Sequence, residues 1–303
     1  MQAIIIRALC FLAMVLISFF LKKVRLLSKE DGYALSRVIM NLTLPCAIIT
    51  SFSSIDLSGY MLIFILFGLL ANLMLLLIAY IISRKKSRED IIYYILAIPA
   101  YNIGNFTLPF ASAMLGPLGA VTTCLFDCGN AVQCVGVDYT VAKAMIGEEQ
   151  GKRSILSIFK PLLKVPTFVI YVIFIALAFI KFPLPSVLFD FTSLVAQANA
   201  PAAMIMLGLM LEIDFDRKSI RKCLEVLGAR YLVSIIFSLF FMLILDVPYE
   251  VKKAATIVMW SPISTAAPAF TLQLKGNTSL IGMVSSISLI LSLIIIPMLV
   301  ILL

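Results

Sequence analysis

The chain has no histidine and only one tryptophan among its 303 residues. Without histidine, an imidazole-based catalytic triad, an HExxH zinc site and a histidine proton relay are all excluded. Charged residues make up only 13% of the sequence, about half the share that a water-soluble domain carries. A water-soluble globular protein is therefore excluded as well.

Cysteine and glycine are also placed in ways that exclude some kinds of chemistry. Five of the six cysteines lie within apolar stretches and the sixth begins one, as is typical of small buried residues and not of a metal site. No glycine-rich phosphate loop is present, which excludes direct ATP hydrolysis. We expect no metal, no other cofactor and no enzymatic activity.

Apolar sequence is what the chain has in abundance: 62% of its residues are hydrophobic and its mean hydropathy is +1.10. A helix needs about 20 residues to cross a hydrocarbon core about 30 Å thick, which leaves room for about ten crossings of a lipid bilayer. The ten apolar segments, numbered one to ten below, are Ala3–Leu21, Tyr33–Ser53, Tyr60–Ile82, Ile91–Leu115, Leu118–Met145, Pro161–Ile180, Leu184–Leu211, Cys223–Leu245, Ala254–Leu274 and Leu280–Leu303. The sequence predicts an all-α polytopic membrane protein with ten transmembrane helices.

The net charge of +8 predicts how the chain is oriented. Of 24 lysines and arginines, 20 lie in or beside the connections that follow odd-numbered segments, with Arg230 counted after segment seven. Positive charge near the ends of membrane spans is kept on the cytoplasmic side. The protein is therefore predicted to lie in the cell inner (cytoplasmic) membrane with both termini on its outer side. Because the positive charge is explained by topology, no nucleic-acid partner is expected.

Two pairs of segments carry similar polar and proline patterns five segments apart. Segment two contains Asn41-Leu-Thr-Leu-Pro45 and segment seven contains Asn199-Ala-Pro201, while segments four and nine match in their prolines. A shift by an odd number of spans gives the two halves opposite senses, which is an inverted repeat. The predicted organisation is a first repeat at 1–146, a cytoplasmic linker at 147–160 and a second repeat at 161–303.

Segments four and nine are where regular helix should fail, because Pro99, Pro109, Pro262 and Pro268 each lack a backbone donor. Irregular backbone persists at membrane depth only where protein or a water-filled cavity satisfies it. We predict two broken helices that cross at a binding site near the midplane, where half-helix amino termini favour an anion. The candidate substrate-binding residues are Asn41, Asn102, Asn105, Pro109, Asn130, Asn199, Pro262, Ser264 and Thr265.

Asp127 lies about ten residues into segment five, where an ionisable side chain marks a functional site by default. We assign it to ion coupling, as a proton carrier or a cation ligand, with a hydrogen-bonded neutral acid as the alternative. Asn41 and Asn199 either face the cavity or join helices. Asp138 and Asp190 are assigned to solvated or capping roles near the membrane interfaces.

In order and spacing, these motifs resemble the auxin efflux carrier family, which includes plant carriers and many bacterial permeases. Asn41–Pro45 is similar to its second-span signature, and Asp127 with Asn130 matches the polar position of its fifth span. The remaining matches are Asn102–Pro109 with Gly116, Ala200–Met204 with Leu207 and Gly208, Pro262, and Ser286–Pro297.

The resemblance implies a ten-helix transporter with crossed broken helices four and nine, a scaffold of spans one, two, six and seven, elevator-like movement and a homodimer. The long loop and Asn-Pro-Asn core of plant members are missing here, so a small mono- or dicarboxylate anion is expected and auxin is not. The carrier would be secondary active or facilitative, with H+ or Na+ as coupling ion. A sodium symporter similar to the bile acid family and a non-transporting membrane sensor remain alternatives.

Overall fold

The structure is a computed structural model that describes residues 2–148, 162–212 and 219–303. Helices occupy all ten apolar segments, and the one extended pairing in these ranges is an isolated bridge between Tyr101 and Ile263. In chain order the helices are Gln2–Lys23, Lys29–Val38, Ile39–Thr43 (π-helical), Leu44–Ser53, Gly59–Leu62 (3-10), Ile63–Ser83, Arg88–Ala97, Ile103–Thr107 (π-helical), Leu108–Ala131, Val132–Val137 (π-helical), Asp138–Met145, Pro166–Phe179, Ser186–Ala196, Asn199–Met210, Ile220–Leu243, Tyr249–Met259, Ala266–Gln273 and Thr278–Leu302. The predicted all-α class is confirmed.

Most of the predicted linker at 147–160 lies outside the described residues, which resume at 162. The basic residues at 152, 153, 160, 217 and 218 lie outside them too. The predicted cytoplasmic placement of these charges therefore stays a prediction.

Side-chain caps fix the start of three helices after short connections. The Ser28 hydroxyl accepts a hydrogen bond from the Asp31 N–H at 3.2 Å, and Ser87 does the same for Asp90 at 3.3 Å. Asn277 caps the last helix in the same way. Each cap satisfies a backbone donor that has no partner within its helix.

Seven helical stretches of the described residues are long and apolar enough to cross a membrane. One of them, Ile103–Met145, has 43 residues and turns at Gly116, where φ is 67°, so it comprises half of segment four and all of segment five. Glycine suits this turn because a Cβ disfavours positive φ. Segments four, six and nine have no separate stretch of that length, because four and nine are broken and Pro166–Phe179 has only 14 residues.

Segment four is broken at its first proline. Arg88–Ala97 is ten residues long, about 15 Å or half of a hydrocarbon core. The backbone then leaves the helix around Pro99 and Ala100, whose φ is 60°, and becomes helical again at Ile103. The second proline, Pro109, is the second residue of the α-helix that continues directly from the π-helical turn Ile103–Thr107, so it does not end the helix.

Segment nine repeats this pattern in the second half of the chain. Tyr249–Met259 ends before the irregular stretch 260–265, and Ala266–Gln273 follows. The two irregular stretches meet, because Tyr101 and Ile263 form an antiparallel bridge. The broken helices of segments four and nine therefore contact each other at their breaks.

Segments one, two, six and seven pack on one another beside this crossing. The helices of segment two pack along those of segment seven, segment one packs on Asn199–Met210, and segment six packs on Leu44–Ser53. Segments three and five approach closely at Gly68 and Gly129, where an added Cβ would lie 2.2 Å and 2.1 Å from backbone oxygens of the facing helix. Small residues permit such close helix packing in membranes.

Candidate functional site at the helix crossing

Two backbone hydrogen bonds hold the broken helices together. The Asn102 N–H donates to the Pro262 carbonyl at 2.9 Å, and the Ser264 N–H donates to the Ala100 carbonyl at 3.3 Å. The hydroxyls of Thr107 and Ser261 also contact each other across the crossing. The peptide groups freed by breaking two helices are thus partly satisfied by the opposite segment.

Side chains from neighbouring helices satisfy further peptide groups. The Asn130 amide accepts a hydrogen bond from the Tyr101 N–H at 2.9 Å and donates to the Tyr101 carbonyl at 3.0 Å. Asn72 in segment three accepts a hydrogen bond from the Ala100 N–H at 2.8 Å. Leaving a buried peptide group unpaired costs about 1–3 kcal/mol, so these side chains stabilise the non-helical backbone.

Asp127 lies directly behind the crossing and is buried. One carboxylate oxygen accepts a hydrogen bond from Asn130 at 2.8 Å, and the other accepts one from the Tyr171 hydroxyl at 2.7 Å. In the described part of the chain, no salt bridge includes Asp127. Tyr171, from the middle of segment six, was not among the predicted site residues, since an isolated aromatic residue in an apolar segment carries no sequence signal.

Arg230 was predicted from the sequence to be one of the loop charges after segment seven, and the structure shows that this was wrong. Its side chain is only 1% exposed and lies against the crossing. The guanidinium donates to the carbonyls of Ile98 at 2.7 Å and Ser261 at 2.9 Å, and stacks 4.7 Å from the centroid of the Tyr101 ring. The position of Arg230, seven residues inside segment eight, was the signal that could have identified it.

A cavity of about 500 Å³ lies beside the crossing. Four predicted site residues line it, namely Asn102, Pro262, Ser264 and Thr265. Apolar side chains of segments seven, nine and ten form much of the remaining wall. A mostly apolar pocket with a few converging polar groups is typical of a small-molecule site.

The cavity opens at a pair of opposite charges, Lys29 and Glu212, whose side chains are 37% and 44% exposed. Lys29 Nζ lies 2.5 Å from a Glu212 carboxylate oxygen. Tyr33, one helical turn after Lys29, also lines this end. An ion pair this exposed adds little stability.

The other predicted residues lie at different distances from the cavity. The Asn105 side-chain nitrogen donates to the Thr265 hydroxyl at 3.4 Å. The side-chain oxygen of Asn105 is buried without a hydrogen-bond partner among the described residues. Asn130 is one layer behind, and Pro109 is buried in the following helix. These three residues belong to the crossing without lining the cavity.

Asn41 and Asn199 are not brought to the cavity. The exposed Asn41 side chain donates to the carbonyl of Arg37 in its own helix at 2.7 Å. Asn199 is buried and accepts a hydrogen bond from the Thr43 hydroxyl at 3.0 Å, which joins segments two and seven. The sequence left open whether Asn199 faces the cavity or joins helices, and the structure shows that it joins helices.

Asp138 is buried, with 2% exposure, which corrects the solvated or capping role assigned to it from the sequence. The Gln133 side chain is the polar neighbour of this carboxylate, but neither carboxylate oxygen nor the Gln133 side-chain nitrogen has a partner with hydrogen-bond geometry among the described residues. Asp190, by contrast, is exposed. A buried polar group without a partner calls for an explanation, and Asp138 becomes a second acidic candidate within segment five.

The fold and the crossing define a class: a polytopic helical membrane protein with a cavity where two broken helices meet. In the described ranges, no group of three or more cysteine and acidic residues is arranged to hold a metal ion. The sequence of residues 3–152 matches the family model described as "Membrane transport protein". This match, over about half of the chain, confirms the resemblance of its motifs to the auxin efflux carrier family.

A curated relative agrees with this assignment. The chain is 25% identical over 228 residues to an "Uncharacterized transporter" of Methanothermobacter thermautotrophicus, a match that covers 74% of this chain and 73% of the relative. The similarity extends well past residue 152, so it includes part of the second half of the chain. Both comparisons indicate a transporter.

Proposed function

We propose that this protein carries a small organic anion of the mono- or dicarboxylate class across the cytoplasmic membrane, without ATP. The observation that carries the proposal is the cavity beside the crossing, lined by Asn102, Ser264 and Thr265. Amide and hydroxyl groups bind carboxylates by hydrogen bonds without fixing a single solute. Binding beside broken helices at the repeat interface is the arrangement found in many secondary transporters.

The proposed topology is ten spans in two inverted repeats, at 1–146 and 161–303. Equivalent contacts in the two halves support it. In segment four the bridge residue Tyr101 donates its N–H to Asn130 of segment five, and in segment nine Ile263 donates to Ser288 of segment ten at 3.1 Å. Each broken helix is thus held by the helix that follows it.

The proposed orientation places both termini outside. The connection between segments one and two is then cytoplasmic, and so is Lys29 at the mouth of the cavity. On this assignment the cavity is open to the cytoplasm. Because the charges of Lys29 and Glu212 at the mouth balance each other, the preference for an anionic solute rests on the amino termini of the second half-helices.

The proposed mechanism is an elevator-like movement of the crossing-bearing bundle against segments one, two, six and seven. The mutual packing of these four segments supports their role as a scaffold. A homodimer formed through the scaffold is proposed from the family resemblance. Cross-linking of the purified protein tests for the dimer independently of transport.

Asp127 is proposed as the coupling residue. Among the described residues its carboxylate has two hydrogen-bond partners, Asn130 and Tyr171, both neutral, and it reaches the crossing through Asn130. A change in its protonation would alter the hydrogen bonds that hold the Tyr101 peptide. A proton gradient would in this way act on the backbone beside the cavity.

Uptake of labelled organic acids into proteoliposomes tests the function. A panel of mono- and dicarboxylates is measured with and without a membrane potential and a pH gradient, in parallel with protein-free vesicles. We expect saturable uptake of at least one acid. If no acid is taken up but one raises the melting temperature of the protein, the sensor alternative is favoured and the carrier proposal fails.

A further inference from the structure

Arg230 is a fully buried cation that segment eight places against both broken helices. One guanidinium nitrogen lies 2.7 Å from the Ile98 carbonyl oxygen and 3.2 Å from those of Pro99 and Ala100. The other terminal nitrogen lies 2.9 Å from the Ser261 carbonyl oxygen. Four backbone carbonyls from two segments therefore surround one positive charge.

These carbonyls lie just beyond the carboxyl ends of two half-helices, Arg88–Ala97 and Tyr249–Met259. Such ends carry partial negative charge and carbonyls that have no donor within the helix. In the described part of the chain no salt bridge includes Arg230, so the carbonyls are its counter-charge. An arginine remains protonated in such a place.

Unwound carbonyls and half-helix carboxyl ends are also the groups that coordinate Na+ in sodium-coupled transporters with broken helices. We propose that the Arg230 guanidinium occupies the place of such a coupling cation, so that this carrier works without sodium. The inference rests on the proposed transport function and selects between its coupling ions. Arg230 is then a positioning residue, whose charge balances the partial negative charge of the carbonyls at the crossing in every step of the transport cycle.

The geometry favours a fixed cation over an exchangeable one. The guanidinium is planar, and its separate nitrogens reach segments four and nine at the same time. The Tyr101 ring covers one face at 4.7 Å, and the Tyr101 peptide is itself held by Asn130. A lysine has a single nitrogen and cannot make this set of contacts.

The first experiment measures the melting temperature of the purified wild-type protein and its uptake of the transported acid. Each is measured in sodium, potassium and choline chloride at equal pH and ionic strength. We expect no difference among the three salts. A saturable increase in uptake or in melting temperature with sodium alone would overturn the proposal.

The second experiment compares Arg230→Ala with Arg230→Lys and with Arg221→Ala, an exposed arginine on the same helix. We expect Arg230→Ala to lower uptake about tenfold or more, because four buried carbonyls each lose a donor and only that of Ala100 keeps another, the Ser264 N–H. Low-millimolar methylguanidinium, but not methylammonium, should restore part of this loss, and Arg221→Ala should behave as wild type. Wild-type uptake by Arg230→Ala in choline chloride contradicts the proposal.

Two further outcomes keep the tests separate. If Arg230→Ala does not fold, the comparison of salts on the wild-type protein still decides the question. If no acid is transported at all, the proposed function fails. The melting temperatures in the three salts still test whether the Arg230 guanidinium occupies the cation site at the crossing. An Arg230→Ala protein that folds, and that neither methylguanidinium nor sodium stabilises, would count against a cation place at this crossing.

Discussion

The Asn130 side chain bonds both the N–H and the carbonyl of Tyr101, at 2.9 Å and 3.0 Å. The same amide also donates to Asp127 at 2.8 Å. One side chain therefore joins the crossing of two broken helices to a buried acid. This relationship explains how a change at Asp127 could reach the cavity without direct contact between Asp127 and a solute.

Replacing Asn130 by Ala removes the hydrogen-bond partner of the Tyr101 backbone N–H and that of the Tyr101 backbone carbonyl. We expect a loss of about 1–3 kcal/mol in the free energy of unfolding and a large loss of uptake, because the crossing is no longer fixed. Thermal unfolding and uptake into proteoliposomes measure the two effects. Asn41→Ala is the control, since that side chain is exposed and bonds within its own helix. Equal behaviour of the two variants would contradict the role of Asn130.

Replacing Asp127 by Asn keeps the volume of the side chain and removes its titration. We expect uptake driven by a pH gradient to fall to the level without the gradient, while thermal stability changes little. Tyr171→Phe removes only the hydrogen bond to Asp127 and should shift the pH dependence of uptake without abolishing it. A pH dependence of Asp127→Asn identical to that of the wild type would remove Asp127 from the coupling mechanism.

Replacing Asp138 by Asn separates the two buried acids of segment five. Asp138 does not line the cavity, and its oxygens have no hydrogen-bond partner among the described residues. If Asp127 alone carries the coupling proton, Asp138→Asn keeps the response of uptake to a pH gradient and is as stable as the wild type or more so. Loss of that response in Asp138→Asn would assign coupling to Asp138 as well.

The close contact of segments three and five gives a stability prediction. A Cβ at Gly129 would lie 2.1 Å from the Ile65 carbonyl oxygen, so Gly129→Ala must push two helices apart. We expect a loss of at least about 1–3 kcal/mol in the free energy of unfolding. Gly228→Ala is the control, because among the described residues no atom beyond its chain neighbours and the backbone of its own helix lies within 4 Å of a Cβ there, and alanine is the better helix former. A Gly129→Ala protein as stable as Gly228→Ala would contradict the packing.

Much of the architecture could be predicted from the sequence because it depends on local composition. Runs of apolar residues gave the helical segments, and Pro99 and Pro262 fall in the two irregular stretches that meet. The second prolines, Pro109 and Pro268, were expected to break helices but lie in their first turns. The presence of proline alone does not distinguish a break from a helix start, since both positions tolerate a residue without a backbone N–H.

The candidate site was predicted less completely because side-chain partners come from distant segments. Asn102, Ser264 and Thr265 were found through their place near the breaks, and all three line the cavity. Arg230 was assigned to a loop because charges near segment ends were counted without regard to depth. Asn41 was selected by its motif, although helical rotation turns its side chain away from the cavity.

Blocking the cavity tests most directly whether the anion binds at the crossing. In a Cys10→Ala background, which removes the exposed native cysteine, Thr265→Cys is labelled with a bulky thiol reagent before uptake is measured. We predict that labelling abolishes uptake and that the transported acid slows labelling, while a reagent-treated Cys10→Ala protein keeps its uptake. Full uptake by the labelled Thr265→Cys protein, with no protection by the acid, would contradict transport through this cavity.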